Sequence, residues 1–330
     1  MSTFIQQAKY LFYSEGALLQ TDGFKKRSLV VSTLAEAEFF ADSGHFQDIL
    51  YGFPLTADKI ERCRSLNQRL AEFHVMIDSY AILKELDRVG SDSCVWSIFI
   101  AVDCGYGREG VPWDDDRLIA LAGEVTNGRF LSLAGIYTHC GHSYNSQTPS
   151  DVARTACTRM SQVKQQLEAA DIRCSVYGIG STPSCSSIVP EMQNVNEMHP
   201  GNYIFYDLQQ HMIGSCSKQE IACTIATRII GHYPERNELL IDCGFTARTK
   251  QGMDVCAAVF KDHSELRLVG MTQEIGIVSS DEKIDFTKFP VGSMILQYPW
   301  HSCASAGMHP AYFVHVNGVV TAVWKPCRGW

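Results

Sequence analysis

Short runs of β-branched and aromatic residues alternate along the first two-thirds of the chain with longer stretches of helical period. The strand-like runs are 28–32, 48–52, 73–77, 95–102, 131–137, 174–178 and 196–205. Between them, 34–42, 57–71, 80–89, 115–125 and 149–170 place apolar residues on one helical face. Buried strands alternating with helices are the pattern of βαβ units on a parallel sheet. Eight such strands would close a (β/α)8 barrel, and the missing one could come only from 4–14, FIQQAKYLFYS. Two glutamines and a lysine make that segment a poor strand. An open doubly wound sheet is the rival, and one GxGxxG string occurs at Gly105–Gly110. It follows a middle strand and runs into Val111-Pro112-Trp113, whereas a dinucleotide loop opens a helix. The expected fold is therefore an α/β TIM-type barrel, its first strand doubtful or missing, over residues 1–215.

Beyond about residue 216 the period changes. Strand-like runs recur at 221–230, 238–241, 257–260, 266–269, 274–278, 292–296 and 311–324, with an Asn317-Gly318 hairpin signal in the last. Residues 216–330 thus read as a second, mostly β domain. The chain has 330 residues and ordinary apolar content, 45%, enough to bury a core without staples. Lys plus Arg number 28 against 36 Asp plus Glu, a net charge of −8 that argues against nucleic-acid partners. No apolar run approaches the ~20 residues that span a bilayer, so no membrane association is expected. The first residues lack the pattern of a signal peptide. Thirteen cysteines without tight spacing fit reduced thiols in a cytoplasmic protein, with Cys94 and Cys223 among the core residues.

Several polar segments fall at predicted strand ends, where such barrels build their active sites. Ile136–Asn145 (IYTHCGHSYN) offers Tyr137, His139, His142 and Tyr144 in one loop, though a polar loop with satisfied histidines reads the same way. Tyr177–Ser184 (YGIGSTPS) could cradle a phosphate with backbone amides, Ser181 and Thr182, or be an ordinary capped turn. His199–Asp207 (HPGNYIFYD) could add the Gly201 amide and the Asn202 side chain, or be only a tight turn. Val102–Pro112 places Asp103 and Arg108 at another strand end, where Arg108 could hold a phenolate or carboxylate. His301 and Cys303 stand two apart, so in a strand they share a face; the pair suits Zn2+, or a buried thiol beside a satisfied imidazole.

In order, SLVVSTLAEAEFF, DILYGFPL, VDCGYGREGV, YTHCGHSY, GIGSTPS, HPGNYIFYD and PWHSCAS resemble the D-serine dehydratase family, zinc-dependent pyridoxal-phosphate lyases of alanine-racemase-like fold. The resemblance runs from about Glu15 to Trp330. Related D-threonine aldolases carry His-x-Asp where this chain has His301-x-Cys303. The resemblance implies that Tyr137 and Tyr144 contact the cofactor or its substrate adduct. It implies that Thr182, Gly201 and Asn202 hold the cofactor phosphate, and that His301 and Cys303 hold zinc. A homodimer with sites near its interface is implied as well. The implied reaction eliminates water from D-serine to give pyruvate and ammonia.

The family's Schiff-base lysine lies at the end of the first barrel strand, in a motif resembling Arg-Pro-His-x-Lys-x-His-Lys. This chain has no such motif, and Lys9, with Ala8, Tyr10, Leu11 and Phe12 around it, does not match. The catalytic lysine is thus left unassigned. The alternatives are another D-3-hydroxy amino acid lyase (D-threo-3-hydroxyaspartate dehydratase or D-threonine aldolase) and an inert form with a shortened or replaced N-terminus.

Overall fold

The computed structural model describes residues 3–4, 6–7, 14–21, 23, 28–256, 259–327 and 329. Lys9 lies outside them. The chain divides into two units, residues 1–201 with 324–330 and residues 202–323.

The first unit holds β1 (Thr3–Phe4), β2 (Gln6–Gln7), α1 (Ser14–Gln20), β3 (Ser28–Val31), α2 (Leu34–Asp42), β4 (Asp48–Pro54), α3 (Ile60–Arg69), β5 (Glu72–Ile77), α4 (Tyr80–Val89), β6 (Trp96–Asp103), β7 (Val111–Pro112), α5 (Arg117–Asn127), β8 (Leu131–His139), α6 (Pro149–Ala169), β9 (Val176–Gly180), α7 (Thr182–Ser186) and β10 (Glu197–Met198). Every pairing in this sheet is parallel, in the order β1-β10-β9-β8-β6-β5-β4-β3-β2, with the short β7 beside β6. The two ends of that path, β1 and β2, flank a single residue, so the sheet runs round to its own start. This is the (β/α)8 barrel, and its first strand is represented by β1 and β2, residues 3–4 and 6–7. Its composition is poor for a strand, but two facing edges with unpaired backbone groups offer it hydrogen bonds whatever its side chains are.

Local chemistry explains the helix starts. Thr33 and Glu36 form a reciprocal capping box on α2, and the Ser79 hydroxyl caps α4. The strand expected over 196–205 shrinks to β10. His199 N still bonds Ile179 O, but Pro200 has no N–H to continue the ladder, and residues 202–204 turn into a 3-10 helix. Val30, Leu50, Met76, Phe99, Ala101 and Tyr137 plug the barrel interior. Below that plug, at the N-terminal mouth, a cavity of about 330 Å3 is lined by Asp48, His74, Ser97 and Phe99 among others. Cys63, Cys94, Cys104, Cys140 and Cys157 are buried as core residues, and Cys223 in the other unit is partly buried.

The second unit holds α8 (Leu208–Met212), β11 (Ile225–Tyr233), β12 (Glu238–Ile241), α9 (Phe245–Arg248), β13 (Arg267–Met271), β14 (Gly276–Ser279), β15 (Met294–Gln297), α10 (Ser302–Ala306), β16 (Tyr312–Val316) and β17 (Val319–Trp324). Five strands form an antiparallel sheet, ordered β13-β14-β12-β11-β15, over a core that includes Ile229, Leu239, Ile241, Phe260 and Leu268. β16 and β17 form a separate hairpin whose turn residues, Asn317 and Gly318, both have positive φ, 50° and 82°. That is the backbone an Asn-Gly turn supplies.

Candidate functional site

In the first unit the candidate residues gather at the C-terminal ends of β6, β8, β9 and β10. Tyr137 lies near the end of β8 inside the barrel, stacked on His199 with centroids 4.8 Å apart and planes at 21°. Burial pushes its phenol well above the ordinary tyrosine range. His199 is fully buried, with Nε2 3.2 Å from Glu197 Oε2. Gly178 makes room for it, because a Cβ there would lie 2.4 Å from His199 Cε1.

After β8 the chain turns through a 3-10 segment, Gly141–Asn145, that carries His142 and Tyr144. Tyr106 stacks on His142 at 5.9 Å and meets His139 edge-on at 5.8 Å. Burial pushes the His142 pKa down. The Arg108 guanidinium lies 5.0 Å from the Tyr106 ring centroid and is paired with Glu109. Asp103 is committed to its own loop: Oδ1 accepts from the amides of Gly105, Tyr106 and Gly107 at 2.7, 2.8 and 3.1 Å. The glycine string at 105–110 therefore forms an Asp-centred turn that leads into β7. Helix α5 begins only at Arg117.

The loops after β9 and β10 meet. Gly201 N donates to Thr182 Oγ1 at 3.2 Å, and Ser181 caps α7 while sharing hydrogen bonds of 2.7 Å with the hydroxyls of Ser143 and Ser184. Hydroxyl and amide donors are thus concentrated around Thr182 and Gly201, the chemistry an anionic phosphate requires.

Asn202 belongs to the second unit, where its side chain meets other partners than the expected phosphate. Nδ2 donates to Asp207 Oδ2 at 2.7 Å, Ser302 Oγ at 3.1 Å and Cys303 Sγ at 3.5 Å. His301 and Cys303 are not in a strand: β15 ends at Gln297, His301 is the N-cap of α10, and Cys303 sits in its first turn. Pro299 helps to end the strand pairing. Cys303 is buried, while the His301 side chain keeps 21% of its exposure. Asp207, which sequence reasoning quoted but gave no role, is fully buried between them and the preceding loop. It accepts from Gln210 N at 2.9 Å, Ser302 N at 2.8 Å and Asn202, and its Oδ2 lies 3.6 Å from His301 Nδ1. Among the described residues no group of three or more His, Cys, Asp or Glu is arranged to hold a metal ion. The donor types fit zinc nonetheless: an imidazole, a thiol that receives an N–H, and a carboxylate beside the imidazole.

Two family profiles match in the order of the two units: alanine racemase, N-terminal domain, over residues 10–209, and a serine dehydratase domain over residues 222–315. A D-serine dehydratase of Dictyostelium discoideum is 33% identical over 93% of this chain and 84% of its own length. The chain belongs to the D-serine dehydratase family. Among solved structures, D-threo-3-hydroxyaspartate dehydratase from Delftia sp. HT23 superposes with a TM-score of 0.92 at 27% identity, covering 100% of this chain and 91% of that one. A variant of D-threo-3-hydroxyaspartate dehydratase with a cysteine replaced by alanine, described in a metal-free form, superposes equally, with a TM-score of 0.92 at 26% identity over the same shares. Family membership makes the chain an alanine-racemase-like lyase. Of the expected site residues, Tyr137, Tyr144, Thr182 and Gly201 lie in the barrel unit and Asn202, His301 and Cys303 in the β unit.

Proposed function

We propose that this chain is a D-serine dehydratase that uses pyridoxal phosphate and zinc to convert D-serine into pyruvate and ammonia. The observation that carries the reading is the 33% identity to a D-serine dehydratase across nearly the whole chain. The cofactor would supply an electron sink for the carbanion, and zinc would help hydroxide leave as a Lewis acid. The Thr182 hydroxyl and Gly201 amide would hold the phosphate, with Tyr137 and Tyr144 beside the ring or the substrate. His301 and Cys303 would hold zinc. Asn202 is better suited to orienting the Cys303 sulfur than to the phosphate, and Asp207 to fixing the His301 ring, as outer partners of metal ligands do.

The lysine that would hold the cofactor is unassigned, and Lys9 is the position that a labelling experiment must examine. Cytoplasmic location fits the thirteen free cysteines, and no described helix is long and apolar enough to cross a membrane. A homodimer is favoured by the β16–β17 hairpin, which exposes Phe313, Val316, Val319 and Val320. An isolated two-stranded hairpin is marginal in water, so a second copy is the natural cover.

The test is borohydride reduction of the purified chain with pyridoxal phosphate, followed by peptide mass spectrometry. A single modified lysine, together with pyruvate release from D-serine, is the expected result, and its position, Lys9 or another, names the residue that holds the cofactor. Scattered or absent labelling in folded protein would favour the inert alternative. Faster turnover of D-threo-3-hydroxyaspartate than of D-serine would favour the related dehydratase, the reading that the Delftia structure supports.

A further inference from the structure

The second unit contains a buried cation that no acidic group among the described residues neutralises. Arg248 ends α9 with 1% of its surface exposed. Among the described residues its Nη1 reaches only the Met253 thioether, at 3.7 Å, and its Nε and Nη2 are buried without an acceptor. It enters no ion pair among the described residues, and the ionisable groups that act on it are the thiols of Cys243 and Cys256. Burial alone therefore pushes the guanidinium pKa down. Arginine remains charged even so, and an uncompensated buried charge is strongly destabilising.

A second side chain nearby has the same problem. Gln297, at the end of β15, is fully buried, and among the described residues its amide meets only the thiol of Cys243, the same thiol that borders Arg248. The backbone around Arg248 is fixed: Ser305 Oγ donates to Arg248 O at 2.9 Å, and His309 Nε2 lies 2.9 Å from Ala247 O. A guanidinium fork and a buried amide held on rigid backbone, with thioether and thiol neighbours and no carboxylate among the described residues, lack one component, a counter-ion.

We propose that Arg248 and Gln297 form a binding site for a small anion, a halide or a short carboxylate, inside the β unit. The guanidinium supplies paired N–H donors, which match a carboxylate in two-point geometry and a halide as a point charge. The Gln297 amide supplies a further donor. Met253, an unbranched and flexible side chain, is the neighbour most able to move aside for the ion.

Thermal unfolding of the full-length protein, titrated with chloride and separately with acetate, tests this. Ionic strength is held constant with a bulky sulfonate salt. The expected result is a saturable rise in Tm with at least one of the two anions, by mass action on the folded state. Response to chloride alone identifies a halide site, and response to acetate identifies carboxylate recognition. Arg248→Met should abolish the response while melting no lower than wild type in the sulfonate buffer, because an apolar side chain relieves the buried charge. Should that variant fail to fold, Gln297→Leu should weaken the apparent affinity about tenfold or more through the lost donor. Indifference of the wild-type Tm to both anions, or an undiminished response in the variants, overturns the proposal.

Discussion

At the scale of single residues, the most consequential group in the β unit is Asp207. Three N–H donors converge on a carboxylate with no exposure, those of Gln210, Ser302 and the Asn202 side chain. Asp207→Asn would turn an amide NH2 toward donors that need an acceptor. Hydrogen bonds to a charged partner contribute more than neutral ones, so the variant should lose about 2 to 3 kcal/mol in urea unfolding. Cys303→Ala removes only a sulfur that accepts one long hydrogen bond, and should cost less than Asp207→Asn while lowering zinc content. Equal stability of Asp207→Asn and wild type would count against the arrangement. Sequence alone draws attention to the His301–Cys303 pair because a thiol and an imidazole at fixed spacing suit either zinc or a buried thiol beside a satisfied imidazole. It does not reach Asp207, because a lone aspartate after an aromatic run looks like any helix cap, which Asp207 also is. Nor does it foresee Asn202 turning to Cys303 Sγ, since 101 positions separate the two.

At the scale of elements, legibility follows the strength of the local pattern. The amphipathic helices 34–42 and 80–89 and the strand 238–241 stand where the periodicity puts them, each bounded by a turn or cap that sequence declares. The first barrel strand fails that test, since its pairing comes from the parallel neighbours β10 and β3 and not from its own propensity. The C-terminal hairpin is the opposite case. Its Asn-Gly turn is readable, but its outward apolar side chains have meaning only in three dimensions: Phe313 and Val319 are 68% and 66% exposed. If a second copy covers this hairpin, Phe313→Lys with Val319→Lys should shift the protein toward monomer in sedimentation velocity at micromolar concentration. The turn stays intact, so the fold should be retained by circular dichroism. A double variant that sediments as the parent does would remove the hairpin from the dimer surface.

At the scale of the whole molecule, the barrel is stitched across its N-terminal mouth by a chain of side chains from four successive strands. Ser28 Oγ on β3 donates to Asp48 Oδ2 on β4 at 2.7 Å. Asp48 Oδ1 lies 3.1 Å from His74 Nε2 on β5, and His74 Nδ1 lies 2.6 Å from Ser97 Oγ on β6. Burial pushes the Asp48 pKa up, but the hydrogen bonds from His74 and Ser28 and the charge of His74 pull harder, leaving it below the ordinary 3.8. A carboxyl whose pKa is lower folded than unfolded binds fewer protons in the native state. Its contribution to stability is therefore complete above about pH 4 and disappears as pH falls through the lowered folded value. Asp48→Asn removes that titration, so between pH 6 and pH 3 its Tm should fall less than that of the wild type, from a lower starting point. The side chain is about one-third exposed, so solvent weakens the effect, and its direction is the discriminating observable. Parallel acid limbs in the two proteins would mean that the four-strand chain does not carry acid stability. The same cavity faces away from the C-terminal strand ends where Tyr137 and Thr182 stand, so this variant should leave lysine labelling by the cofactor unchanged. Stability and chemistry are then separable at the two ends of one barrel.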